Sequence, residues 1–568
     1  MPRWSSASDG SHHDLIGHGS HPRHGVLLAL ALALPACTSG STGLWRSAAA
    51  PLPAGEAGAG TLADGALDHL IEDSWRRAGV APSPPADDGE FLRRATLDLA
   101  GRTPMLGEVK VFLADQRPDK RARLVDRLLA SPEFGEQWAD LYANLLWHDE
   151  AKRGNLKQDD PRAWFVAAFN DNVGYDKMTG VVLAGRGDVH EHGGLAFIVN
   201  RLRAGGPEGL TAQVARVFLG VQIQCAQCHD HPYDARWKQQ DFWGLVGYFA
   251  GVRFREEPSK LPMMPGNTAV VYDAPGVARM PVKDYNEGVA VAPRFLGYRP
   301  PERSIDTPRR TFLRALLDSD LFPKTMVART WAQLLGHGLV DPWDDLGGEN
   351  DPRHPRLLVE LAQDFRAAGF NVKRLVRQIV LSTAYARSSL PAPEALPDSP
   401  EKAEAAVRAF ARAGVRSLTP EQLFRSLVVM TGAAVRARHR NQNEEQVQKQ
   451  LVAALREYRF TFDDDEMAEA TSFDGSVPQA LLLFNGELTN EGARAGSDGV
   501  LGAILRTRQD PGERLDDMML VAYGRKASEA ERAALAAQLP AGDGPADRRA
   551  YENLFFALTT STEALTNH

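Results

Sequence analysis

Cysteine is scarce in this sequence, with three in 568 residues. Cys37 stands alone near the N-terminus, whereas Cys225 and Cys228 share one short word, so a disulfide framework is excluded. A basic excess is also lacking: 65 Lys and Arg stand against 73 Asp and Glu, a net charge of −8. With no long basic run, the chain is not expected to bind nucleic acid. Its 50 glycines and 36 prolines are too few for a collagen-like or low-complexity protein. An aromatic share of 8% and a hydrophobic share of 43% are too high for a disordered one. No apolar run reaches the roughly 20 residues that a membrane-crossing helix needs. What remains is a soluble composition with chain enough for more than one domain.

The longest apolar run is Gly25 to Ala36, GVLLALALALPA, twelve residues preceded by Arg3 and Arg23 and closed by small residues. Its length and flanks are those of a secretory signal. Leu34-Pro35-Ala36-Cys37 resembles a bacterial lipobox, in which Cys37 carries the lipid and begins the mature chain. Residues 1–36 are therefore expected to be a signal peptide and 37–63, rich in Ser, Gly, Ala and Pro, a flexible stalk. The expected product is an exported protein of the periplasm, outer membrane or cell surface, held to a membrane by its lipid. Soluble secretion with cleavage nearby is the alternative.

Beyond the stalk the apolar residues recur at helical spacing. Ser131-Pro132 starts one helix, with Trp138, Leu141, Tyr142 and Leu145 on one face. Val214, Val217, Phe218 and Val221 form a second stripe. Leu357, Leu358, Leu361 and Phe365 form a third, and Leu375, Val376, Ile379 and Val380 a fourth. The fold class is mainly α. Nine prolines fall in the 55 residues from Glu256 to Arg310, around one β-like run, Thr268 to Tyr272. This spacing predicts two helical domains, 64–255 and 306–568, joined by a Pro-rich irregular segment at 256–305 with minor β. Leu390 to Glu404 reads as a loop.

Gln224 to Asp234 reads QCAQCHDHPYD. Cys225, Cys228 and His229 make a C-x-x-C-H word, the pattern in which two thiols bond to haem and the next histidine ligates the iron. A helix continuing from Thr211 would put both thiols on its apolar face. Met264, in a Met-Pro context, is a candidate sixth ligand, as are His190, His192 and His231. Three other readings stay open. Zn²⁺ or Fe²⁺ could be held by the two cysteines with His229 and His231, or with His190 and His192 as a second pair. The cysteines could form a redox-active pair or a small structural disulfide.

The residues around the word are themselves recognisable. VFLGVQIQCAQCHDHPYDARWKQQDFWGLVGYFAGV resembles the planctomycete-type second cytochrome-C domain, a family of unknown function in exported bacterial proteins, and FLRRATLDLAGRTP is similar to its opening. The text from PRRTFLRALLDSDLF to LSTAYARSS resembles the companion domain, also of unknown function, that comes after it, and SVPQALLLFNGEL resembles that domain's closing part. The resemblance spans nearly the whole mature chain. It implies haem c at Cys225, Cys228 and His229; electron transfer through that haem would call for a redox partner protein in the envelope.

A second constellation lies at Asp341 to Pro355, where Asp344, Asp345, Glu349 and His354 sit in a glycine-interrupted loop. Carboxylates and an imidazole could hold a divalent metal or do acid–base work in hydrolysis of an extracellular polymer. The plainer expectation is that Asp351 or His354 caps a helix starting at Pro355. No G-x-S-x-G elbow, P-loop or HExxH accompanies the loop. Whether the chain is an enzyme is left open. Electron transfer or redox sensing through haem is the leading expectation, and a cell-envelope scaffold or binding module with a structural metal or disulfide is the alternative.

Overall fold

The computed structural model describes residues 62–63, 65–151, 159–258, 267–282, 285–296, 306–347, 350, 352–391, 399–435, 443–462, 476–496, 498–535, 538–542 and 544–568. Cys37, Met264, Glu349, Asp351 and residues 1–61, which include the expected signal peptide and most of the expected stalk, lie outside the described residues. Helices dominate, with seven short strands, β1 to β7, in three small sheets among the described residues. No described helix is long and apolar enough to cross a membrane. The mainly α class is borne out.

The apolar stripes become the core. Val214, Val217, Phe218 and Val221 are buried, as are all four residues of the 357–365 stripe and all four of the 375–380 stripe. Each such side chain contributes about 1.5–3 kcal/mol on leaving water. Helix starts obey their caps. Asn371 accepts from the Arg374 N–H at 3.0 Å, and Thr419 and Gln422 cap each other reciprocally at the start of helix Pro420–Thr431. Ser399 and Pro400 likewise start helix Pro400–Arg408, so the loop expected over Leu390 to Glu404 is shorter than its polar composition suggests.

The described parts of the Pro-rich segment carry the minor β. β2 (Val252–Pro258) pairs antiparallel with β3 (Asn267–Asp273) along its whole length, and β1 (Gly187–Asp188) adds to the other edge of β3. β4 (Ala278–Val282) and β5 (Tyr285–Val291) form a second hairpin. The buried Arg309 fastens the first sheet to helix Pro308–Asp318, donating to Asp273 at 2.7 and 3.0 Å and to the carbonyls of Leu183 and Gly185 at 2.9 Å. One hydrophobic core runs through both halves, from Leu67 to Leu520.

The start of the described chain is bound to the second half. The Leu62 N–H donates to Asp364 at 2.8 Å, Asp68 of helix Ala66–Ala78 accepts from the Thr383 N–H at 2.7 Å, and Trp75 donates to the Ala409 carbonyl at 2.8 Å. A second tie lies deeper. Asp98, on helix Asp88–Ala100, is 3% exposed and accepts from Tyr385 Oη at 2.7 Å, Arg416 at 2.9 Å and Asn567 at 2.9 Å. Arg416 and Asn567 also pair through β6 (Arg416–Ser417) and β7 (Thr566–Asn567).

His354 occupies the N-cap position of helix Pro355–Ala367, but its side chain makes no cap bond. Its ring packs on Phe410 instead, centroids 5.2 Å apart. Burial, and then the nearby Arg353 and Arg77, push its pKa down from 6.5 to about 4.

Both buried groups should leave a mark on stability. Asp98→Asn should lower it by about 3–5 kcal/mol, because Arg416 loses its buried counter-charge, read as a fall in the urea midpoint. His354 stays neutral in the fold while the unfolded chain takes up its proton, so stability is lost as pH falls from about 6.5 towards about 4. Between pH 7.5 and pH 5 the wild-type chain should lose about 2 kcal/mol more than His354→Leu. Parallel pH profiles for the two proteins would refute the assignment.

Candidate functional site

The helix preceding the Cys–His word does not continue into it, contrary to the sequence expectation. Helix Ala196–Val214 is kinked at Gly205 and Gly206, restarts at Pro207, and ends in one π turn, Ala215–Leu219. Gly220 then takes the left-handed conformation, φ 60°, and stops it. A Cβ at Gly220 would stand 2.7 Å from Thr325 Oγ1 and 3.0 Å from Leu346, so the position also needs glycine for space. The cysteines therefore lie not on an apolar helix face but at a separate 3₁₀ turn, Gln224–Gln227, with Cys225 inside it and Cys228 at its C-cap. Cys225 and Cys228 are both free and exposed there, while Ile223 and Ala226 are buried and anchor the turn.

The word is fastened by helix Gln239–Phe249. Trp243 Nε1 donates to the Gln227 carbonyl at 2.9 Å. The Gln239 amide nitrogen reaches three carbonyls, those of Gln227 at 3.3 Å, Cys228 at 3.2 Å and Pro281 at 3.3 Å. The Gln239 N–H also donates to Asp230 at 3.0 Å.

The two histidines of the word are in different states. His229 Nδ1 lies 2.7 Å from the Asp230 carbonyl. A carbonyl only accepts, so Nδ1 carries the proton and Nε2 keeps its lone pair for a metal. His231 Nδ1 instead accepts from the backbone N–H groups of Asp234 at 2.9 Å and Tyr233 at 3.3 Å. Its proton is then on Nε2, and coordination through either nitrogen would cost those bonds or that proton. The donor set thus fits two thiol attachments with one axial imidazole from His229.

His190 and His192 belong elsewhere, in the turn after β1. The His190 N–H donates to Asp188 Oδ1 at 2.9 Å and the His192 N–H to the Asp188 carbonyl at 3.0 Å. Burial holds the His192 pKa below its ordinary value. Among the described residues, no three His, Cys, Asp or Glu side chains are gathered to hold a metal ion.

The acidic loop packs directly behind the word. Asp344 is 2% exposed and accepts from Arg216, in the π turn, and from Gln222 Nε2 at 2.9 Å. The Leu346 N–H donates to the Gly220 carbonyl at 2.7 Å. Arg329 lies over the Trp343 ring, 4.6 Å from its centroid, and donates to the Val217 carbonyl. Asp234 accepts a bidentate pair from Arg236, and these two side chains leave no room for a Cβ at Gly347. Asp345 accepts from Asn350 at 2.8 Å. Its carboxyl is pushed up by burial and by the charges of Asp344 and Asp234, against the pull of Arg236. The two constellations separated in sequence thus meet in space. Of the described residues of the loop, Asp344 is committed to Arg216 and Gln222 while His354 turns to Phe410. Arg216, Gln222, Gln239, Trp243 and Arg329 are the functional neighbours that spacing alone did not mark.

Residues 66–254 match the family model described as PSCyt2, a protein of unknown function (DUF1549), and residues 309–539 match that described as PSD1, a protein of unknown function (DUF1553). No curated protein and no solved structure matches the chain. The two matches stand in the order that the sequence motifs imply, one on the Cys–His word and the other on the loop behind it, and the chain belongs to the proteins that carry these two domains of unknown function in tandem.

Proposed function

We propose that Cys225 and Cys228 are the covalent attachment points of a c-type haem, with His229 Nε2 as its axial ligand, in an exported protein that transfers electrons or senses redox state. The observation that carries this reading is the pairing of two exposed thiols, one on a 3₁₀ turn and one at its C-cap, with an imidazole whose Nδ1 proton is already given to the Asp230 carbonyl. Haem bound there would supply one-electron chemistry. The chain's own part is to present both sulfurs at one turn, orient the imidazole through Asp230, and hold the turn through Gln239 and Trp243. Export fits the reading, since the apolar run Gly25 to Ala36 precedes Cys37. The lipid on Cys37, the membrane as its partner and a redox partner protein in the envelope belong to the same proposal. The spacing of the two thiols also suits a Cys225–Cys228 disulfide in an oxidising compartment, which is the competing reading.

Expressed in a host that matures c-type haem, the chain should keep a haem absorption band after denaturation, and Cys225→Ala/Cys228→Ala should lose it. A colourless chain whose two thiols are joined in a disulfide would decide for the competing reading. The axial assignment has its own check. His229→Gly should lose its native ligand band and regain it on adding imidazole, whereas His231→Ala should leave the band unchanged. A spectrum that responds to His231 and not to His229 would reverse the assignment.

A further inference from the structure

The loop behind the Cys–His word comes from the other half of the chain, and its contacts fall just ahead of the cysteines. Arg216 lies before Gly220 and Gln222 after it, and both side chains end on the single carboxylate of Asp344. Between them the Gly220 carbonyl takes the Leu346 N–H at 2.7 Å. Only Ile223 and Gln224 separate Gln222 from Cys225, and Ile223 is fully buried. The backbone over this stretch passes from a π turn through a left-handed glycine to a 3₁₀ turn. The π turn ends the helix, and neither the left-handed glycine nor the 3₁₀ turn continues it. On the far side Gln239 and Trp243 hold the carbonyls of Gln227 and Cys228. The near side is held by Asp344.

We infer that Asp344 is a positioning residue for the Cys225–Cys228 pair: through Arg216 and Gln222 it fixes the entry into the 3₁₀ turn and so the approach of the two sulfurs. The second half of the chain thereby completes a site whose reacting atoms all belong to the first. This inference rests on the Cys–His word being the working site, and not on the identity of the group that the thiols hold.

The test uses the full chain without haem, in a Cys37→Ser background so that only two thiols respond. It is equilibrated in a glutathione buffer, where two protein thiols and one glutathione disulfide yield one Cys225–Cys228 disulfide and two glutathione thiols. The equilibrium constant reports how well the turn pairs the sulfurs. Asp344→Asn should shift it towards the dithiol by about tenfold, the scale on which partners that orient a ligand act, and Asp344→Glu should restore most of the difference. Gln222→Met, which removes one donor and keeps the ion pair, should shift it the same way by a smaller factor and serves if Asp344→Asn does not fold. Asp140→Asn cuts another buried carboxylate that joins the halves, through Arg162, Arg425 and Arg459. It should lower the melting temperature and leave the thiol equilibrium unchanged. An unaltered equilibrium in the folded Asp344 and Gln222 variants, or an equal shift in Asp140→Asn, overturns the inference. If haem attachment fails while these shifts appear, the haem reading falls and the positioning role stands.

Discussion

The buried carboxylate of Asp98 is the constraint on which the arrangement of the halves depends. A carboxylate removed from water is tolerated only when its lone pairs are met. Here they are met by a tyrosine, an arginine and an asparagine drawn from three distant parts of the chain. Helix Asp88–Ala100, the residues around Tyr385 and the strand pair β6–β7 are thereby held in one place. Asp344 repeats the device at the Cys–His word, one sequestered carboxylate drawing in two donors from the first half. In both places the chain uses the cost of an unpaired buried charge to fix a geometry that apolar packing alone would leave loose.

Much of the fold was legible because burial periodicity is local. The stripes at 214–221, 357–365 and 375–380 each lie within two or three helical turns, and the β-like run Thr268–Tyr272 sits in a strand as expected. The end of the helix before the word was misread although its signal was present, since Gly220 is the kind of residue that closes a helix. Taking the apolar spacing through it placed the thiols on a face they do not occupy. The site was legible as a pair of motifs and not as one place. Asp344 and Arg216 stand 128 residues apart, and nothing in a single sequence links an acidic loop to an arginine at that distance. The contrast between His229 and His231 was also hidden, because it is set by which backbone groups reach each ring.

The structure narrows the chemistry open to the word. Free, exposed thiols at a short turn, with one imidazole bonded to a carbonyl and the next to backbone donors, make an asymmetric donor set. The acidic loop meets the word through Asp344 and Leu346.

The attachment of the first described residues to the second half also sets how the molecule would carry mechanical load. Leu62, Asp68 and Trp75 are bonded to Asp364, Thr383 and Ala409, so tension applied ahead of residue 62 enters the fold through helix Pro355–Ala367, the turn that follows helix Val372–Val380 and the segment around Ala409. Pulling the leading residues away therefore means breaking bonds to residues more than 300 positions further along the chain.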